Sequence, residues 1–163
     1  MGVTQPWIHR KWAHDLTNAV KAGLPTLICH CATRINHHAR DDRQIAGGLG
    51  ATFSVAGSPL SLLRWAAGTH ITQFNVDVAV LAQTAEAIAI FYTCGVFTPT
   101  DIFLCSPSIS ALQAMSNPRS TLAHEAALLF YQSLTTLTTH HPQVRYFLVW
   151  TPIDNSLEGQ CVA

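Results

Sequence analysis

Three residues of the chain combine reactive side chains with positions inside predicted secondary structure. His30 lies between Cys29 and Cys31 in a short apolar run, and Cys105 lies at the end of another. Asp77 lies near the start of a helix-like segment. An imidazole, a thiol and a carboxylate that come close together could bind one soft ion such as Zn²⁺ or support nucleophilic chemistry. The Cys-His-Cys triplet does not chelate as a unit, because adjacent strand residues project to opposite faces.

Each of these residues also has a purely structural interpretation. Free cysteine is among the most buried residue types, and a neutral histidine fits a protein core when its ring is hydrogen-bonded. An acid in the first turn of a helix, as predicted for Asp77, interacts favourably with the helix dipole. The sequence leaves both the chemical and the structural interpretation open.

The apolar pattern predicts the elements that must position these residues. Strands are predicted over residues 26–32, 51–55, 60–67, 100–105 and 145–150, and helices over residues 72–94, 108–115 and 121–139. The first three strands follow one another as an antiparallel meander, whereas helical crossovers between the later strands imply parallel pairing. We therefore predict an α/β fold with a mixed five-stranded sheet flanked by helices. A further helix over residues 1–23 is expected to cover the sheet.

Composition narrows the class of protein. Hydrophobic residues make up 48% of the 163 residues and charged residues only 11%, which predicts one domain with a covered face or a homodimer. Nine Lys and Arg balance nine Asp and Glu, so any binding of nucleic acid is expected to be weak. Five cysteines, an odd number, favour reduced thiols and an intracellular location in the cytoplasm or nucleus. No apolar stretch is expected to cross a membrane.

Familiar enzyme motifs do not occur in the sequence. The glycines at positions 47, 48 and 50 are not followed by Lys-Ser or Lys-Thr, which excludes a P-loop. The chain also lacks a Gly-x-Ser-x-Gly elbow, a His-Glu-x-x-His helix and paired Cys-x-x-Cys motifs. Any chemistry would therefore depend on an arrangement that only the fold creates.

Four local segments, in this order, carry a resemblance to a known family. They are GGLGA at residues 47–51, TQFNVDVAVLA at 72–82, SPSISALQ at 106–113 and WTPIDNSLEGQCVA at 150–163. Together with the order of elements, they resemble the ribonuclease H type 1 domain, especially versions attached to fungal retrotransposon reverse transcriptases. The resemblance covers residues 24–163 as one domain, without the terminal part of the family pattern, and leaves residues 1–23 as an N-terminal helical extension.

The resemblance implies a two-metal site that this chain does not reproduce. The family uses four carboxylates to hold two divalent ions that hydrolyse a phosphodiester bond. At the matching positions this chain has His30, Asp77 and Pro107, and the fourth position would follow Ala163. Asp77 is the one metal ligand that the resemblance carries over, and Asp154 stands where the family has a mobile histidine. One carboxylate leaves most of the charge of two Mg²⁺ ions uncompensated.

Three functions follow from these observations. The first is a catalytically degenerate ribonuclease H-like domain, derived from a retroelement, that acts as a binding or structural module with no cofactor and with weak affinity for an RNA/DNA hybrid. The second is an enzyme of another class that acts on a small molecule through His30, Asp77 and Cys105, with Asp154 on the loop above. The third is a weak ribonuclease that cleaves RNA/DNA hybrids with Mg²⁺ or Mn²⁺.

Overall fold

The computed structural model describes residues 26–36, 46–55, 58–66, 72–95, 99–117 and 124–151. The predicted N-terminal helix over residues 1–23 lies outside this part of the chain. The strands are β1 (Thr26–Asn36), β2 (Ala46–Val55), β3 (Ser58–Ala66), β4 (Asp101–Ser106) and β5 (Arg145–Trp150). The helices are α1 (Gln73–Thr93), α2 (Ile109–Ser116) and α3 (His124–His140).

The strands form one mixed sheet in the order β3-β2-β1-β4-β5. β1 pairs antiparallel with β2, and β2 pairs antiparallel with β3, whereas β4 runs parallel to both β1 and β5. The predicted meander, parallel crossovers and fold class are confirmed. β1 extends four residues further than predicted, and β2 begins five residues earlier. The glycine run lies within β2, since Gly47 pairs with Ile35 and Gly50 pairs with Ala32.

Two apolar clusters lie on the two faces of the sheet. The larger contains Cys29, Cys31 and Leu104 from the strands together with buried residues of all three helices. The smaller contains Ile28, Phe103, Cys105 and Val149, with Phe147 packed against it. Because successive strand residues alternate between faces, this second cluster occupies the face opposite to the described helices.

α1 is the central helix of the larger cluster. The Thr72 hydroxyl caps its start by accepting a hydrogen bond from the Asn75 amide at 3.2 Å. Its end at Cys94 is followed by Gly95, which has a φ of 70° that favours glycine. By length and composition alone α1 could span a membrane, which corrects the expectation that no stretch is long enough. It packs between the sheet and α3, as the core helix of a globular domain does.

Candidate functional site

Asp77 lies in the second turn of α1, at the point where the helix faces the end of β1. Asp77 is buried as a residue, with 9% of its surface exposed. The Thr33 hydroxyl donates a hydrogen bond to Asp77 Oδ1, and the Gln73 side-chain amide donates to the same oxygen at 2.6 Å. The Gln73 amide nitrogen also lies 2.7 Å from the Thr33 hydroxyl oxygen. Asp77 therefore belongs to a polar triad, Thr33, Gln73 and Asp77, in which its charge is stabilised by donated hydrogen bonds.

This position corrects the prediction that Asp77 interacts with the helix dipole from the first turn. The first turn of α1 contains no acidic residue, and Asp77 is the fifth residue of the helix. The dipole effect falls off within the first turn. The hydrogen bonds from Thr33 and Gln73 are the observed interactions that replace it.

His30 and Cys105 lie on neighbouring strands at the same level of the sheet. They are paired in the parallel register of β1 and β4, so both side chains project to the face that carries the smaller cluster. Cys105 is completely buried and His30 is 7% exposed. His30 Nδ1 is a buried atom without a hydrogen-bond partner in the described part of the chain.

Burial controls the protonation of both groups. It lowers the pKa of His30 to about 4, so the imidazole is neutral at neutral pH. Burial, with a smaller contribution from Cys31, raises the pKa of the Cys105 thiol well above its usual range. The thiolate is the nucleophilic form of cysteine. Cys105 therefore has the character of an unreactive core thiol.

The sheet separates Asp77 from His30 and Cys105. Thr33, which contacts Asp77, alternates with Cys31 and therefore lies on the helix-covered face. His30 and Cys105 lie on the opposite face. The structure thus brings His30 and Cys105 together, does not bring Asp77 to them, and places Asp154 outside the described residues. A shared site for the imidazole, the thiol and the carboxylate does not form within the described residues.

Hydrogen bonds of backbone and side-chain groups surround the end of β4 at Pro107, the position at which the resemblance led us to expect a carboxylate. The Trp150 indole N–H donates to the Pro107 carbonyl at 3.0 Å. The Ser108 amide donates to the Ser106 hydroxyl at 3.2 Å, and the Thr151 amide donates to the Ser106 carbonyl at 2.9 Å. These contacts tie β4 to β5 and to the start of α2. They supply neutral groups rather than negative charge.

These residues do not fit a pair of divalent ions. Among residues that the structure describes, no group of three or more His, Cys, Asp or Glu is arranged to hold a metal. Mg²⁺ requires oxygen ligands and is usually held by carboxylates and substrate phosphates. Asp77 offers a carboxylate, but Oδ1 already accepts hydrogen bonds from two donors. Two-metal chemistry has no ligand set in the described part of the site.

Thr33 and Gln73 were not singled out from the sequence. A signal exists for Gln73, because it precedes Asp77 by four residues and the two side chains therefore meet on one helix face. Thr33 gives no comparable signal. Its contact with Asp77 joins residues 44 positions apart and depends on how α1 packs over the extended end of β1.

Comparison with solved structures identifies the fold. The chain is similar to RNase H1 from the halophilic archaeon Halobacterium salinarum, with a TM-score of 0.57, 13% identity, and coverage of 85% of this chain and 94% of the other. It is also similar to LC11-RNase H1, isolated from compost and solved in complex with an RNA/DNA hybrid, with a TM-score of 0.57, 11% identity and coverage of 83% and 92%.

A viral protein shows the same architecture. The prototype foamy virus protease-reverse transcriptase matches with a TM-score of 0.60 and 11% identity, covering 86% of this chain and 20% of the viral chain. No protein-family model matches the sequence, and a search of curated proteins gives no significant match. The chain therefore has the ribonuclease H fold, which is a conclusion about architecture because a fold does not by itself define an activity.

Proposed function

We propose that this protein is a catalytically degenerate ribonuclease H-like domain that binds nucleic acid weakly and does not hydrolyse it. The observation that carries the proposal is the state of Asp77. It is the one carboxylate at the matched positions of the described chain, and it is committed to Thr33 and Gln73. Of the matched strand positions, Pro107 carries no charge, and His30 is neutral and buried on the face of the sheet opposite to Asp77, so neither adds a ligand beside it. A domain with these groups lacks the charge that two metal ions need.

The fold supports nucleic acid as the partner, and the charge balance is the reason that we expect the binding to be weak. One similar structure, LC11-RNase H1, was solved with an RNA/DNA hybrid, and so was a foamy viral protease-reverse transcriptase. The net charge of zero limits the electrostatic attraction of a polyanion. Origin from a retroelement and an intracellular location belong to the same proposal, supported by the viral likeness and by the buried reduced thiols of Cys29, Cys31 and Cys105.

An enzyme of another class is the weaker candidate. It would need His30 or Cys105 to meet substrate, yet both are buried beside the smaller apolar cluster. It would also need Asp77 close to them, and Asp77 lies on the other face of the sheet. The observed geometry thus favours a binding module.

The test is an assay of an RNA/DNA hybrid with Mg²⁺ or Mn²⁺, using the full chain, Asp77→Asn and Glu125→Gln. Glu125 is an exposed acid at the start of α3, so its variant is the matched control for removal of one carboxylate. We expect no turnover by any of the three proteins. Turnover by the wild type that is lost in Asp77→Asn and kept in Glu125→Gln would overturn the proposal.

Binding is measured separately by fluorescence anisotropy with a labelled hybrid. We expect weak binding that falls steeply as salt rises, because phosphate contacts release counterions. Binding by Asp77→Asn should match or slightly exceed that of the wild type, since the variant removes a negative charge. The absence of any binding at low salt would reject the nucleic-acid role.

A further inference from the structure

The smaller apolar cluster is buried, although none of the described helices lies over it. Ile28, Phe103, Cys105 and Val149 are between 0% and 6% exposed. The buried apolar residues of all three described helices belong to the larger cluster, on the other face of the sheet. These exposures are those of a single chain, so a segment of the chain itself covers the smaller cluster.

The covered area is one helix wide. Arg64 of β3 is level with Gly50 and Ala32, so it projects to the face of the smaller cluster, and it is exposed. Arg145, two residues before Phe147 on β5, projects to the same face and is also exposed. The covered part of this face therefore consists of β1, β4 and β5, which together span about 10 Å across the sheet. An α-helix with its side chains is about 10 Å in diameter, so one helix fits this width.

The stretches between the described ranges narrow the choice of segment. Residues 37–45, with the sequence HHARDDRQI, contain four charged side chains and a single large apolar one, so they make a poor apolar cover. The other internal stretches are at most six residues long and join consecutive elements. Two terminal segments are left: residues 1–25, which lead into β1, and residues 152–163, which follow β5. Both strands contribute side chains to the smaller cluster.

We propose that residues 7–22 form an amphipathic helix that covers the smaller cluster. Apolar side chains recur every four residues in this segment and therefore share one stripe of a helix. They are Ile8, Trp12, Leu16 and Val20. The polar side chains on the opposite side of the helix are Arg10, His14 and Lys21. Such a helix has one apolar face for the smaller cluster and one charged face for water.

Length and side-chain size favour this segment over the C-terminal one. A helix over residues 7–22 is about 24 Å long, which is enough to cross β1, β4 and β5. Trp12 alone can bury about 200 Å² of surface. Residues 152–163 contain no aromatic side chain, and Asn155 and Gly159 interrupt them with poor helix formers. The N-terminal segment therefore offers the larger and more regular apolar face.

Cys105 reports on this cover, because it belongs to the smaller cluster and is completely buried. Cys29 and Cys31 are equally buried on the other face of the sheet, so they are internal controls in the same molecule. A buried thiol reacts only when the structure over it opens. Alkylation of the native full chain with iodoacetamide, followed by peptide mass spectrometry, measures the reaction rate of each of the three cysteines.

Three matched substitutions of leucine by aspartate locate the cover. Leu16→Asp places a carboxylate in the proposed contact, so the alkylation rate of Cys105 should rise roughly 100-fold, with changes below about threefold at the two control cysteines. Leu128→Asp alters an exposed leucine of α3 and should leave all three rates unchanged. An unchanged rate at Cys105 in Leu16→Asp, or a rise in Leu157→Asp instead, would overturn the proposal, and the second result would assign the cover to the C-terminal segment.

Nuclear Overhauser effects test the same contact in the unmutated chain, independently of whether a variant folds. We expect cross-peaks between the indole protons of Trp12 and the methyl groups of Ile28 or Val149, which belong to the smaller cluster. Cross-peaks from Trp12 to Leu104, on the other face of the sheet, or to no residue of the sheet would refute the proposed position of the helix.

Discussion

The two faces of the sheet bury polar side chains in opposite ways. On the helix-covered face, Asp77 accepts hydrogen bonds from Thr33 and Gln73. On the other face, His30 lies beside an apolar cluster, and its Nδ1 atom has no partner within the described residues. A buried polar side chain can thus be accommodated either by hydrogen bonds, as for Asp77, or by loss of its charge, as for His30.

The largest effect on stability is expected from introducing a carboxylate at position 30, on the face of the sheet opposite to Asp77. His30→Asp would put a carboxylate on the face of Ile28, Phe103 and Val149, where His30 Nδ1 has no hydrogen-bond partner among the described residues. Burial of an unpaired charge is costly, so the variant should lose about 4 kcal/mol in its free energy of unfolding. Urea denaturation at pH 7 measures the loss. A variant as stable as the wild type would show that this face offers polar partners or water.

Measuring the free energy of unfolding as a function of pH tests the same difference between the two faces of the sheet without altering the protein at neutral pH. The pKa of His30 is about 4 in the folded protein and 6.5 in the unfolded reference. Between pH 4 and pH 6.5 the unfolded chain binds more protons than the folded protein, so the free energy of unfolding falls as the pH decreases through this range. Below pH 4 and above pH 6.5 the contribution of His30 to the free energy of unfolding does not change with pH. Two and a half pKa units correspond to about 3 kcal/mol.

The control for this titration is His30→Leu, since other histidines and acids titrate in the same range. The difference in unfolding free energy between the wild type and His30→Leu isolates the His30 component. When the pH is lowered from 6.5 to 4, the wild type should lose about 3 kcal/mol of unfolding free energy relative to His30→Leu. A difference that is independent of pH would show that His30 is hydrated or protonated in the folded state.

The next effect concerns the polar triad of Thr33, Gln73 and Asp77. Asp77→Leu removes the acceptor and leaves the half-buried Thr33 hydroxyl without one, while the exposed Gln73 amide keeps its bond to Thr33, so the variant should lose about 2 kcal/mol in urea denaturation at pH 7. Asp77→Asn keeps a carbonyl acceptor and loses only the charge, so it should cost roughly half as much. If Asp77→Leu were neutral, the hydrogen bonds would contribute nothing to stability, and a retained functional role for Asp77 would gain support.

The sequence predicts the fold much better than the site. Apolar runs separated by helical periods are sufficient for the mixed sheet, because each pattern allows few packing solutions. The end of β1 was missed since three of the four residues at positions 33–36 are polar, and their strand conformation depends on pairing with the glycine-containing start of β2. The pairing of Leu49 with Thr33 within this segment is set by the meander register rather than by local propensity.

The site depends on which face each residue occupies, and this limits prediction. Parallel pairing of the later strands is predicted from the sequence, whereas the pairing of β1 with β4 and the register that places His30 beside Cys105 are known from the structure. The separation of Asp77 from that pair does not follow, because the sequence does not say over which face α1 packs. The residue types thus suggested one site that contains His30, Cys105 and Asp77, whereas the structure places Asp77 on one face of the sheet and His30 with Cys105 on the other.

The smallest effect on stability is expected from removing the buried imidazole of His30, and the same variant tests whether this side chain has a function. His30→Leu replaces an unpaired polar ring by an apolar side chain of similar size, so it should stabilise the protein by up to about 1 kcal/mol at pH 7. Its affinity for an RNA/DNA hybrid should equal that of the wild type, because the ring is buried and uncharged there. A stable variant with lost binding would instead make His30 part of the interface, since natural proteins keep a destabilising polar group where function requires it.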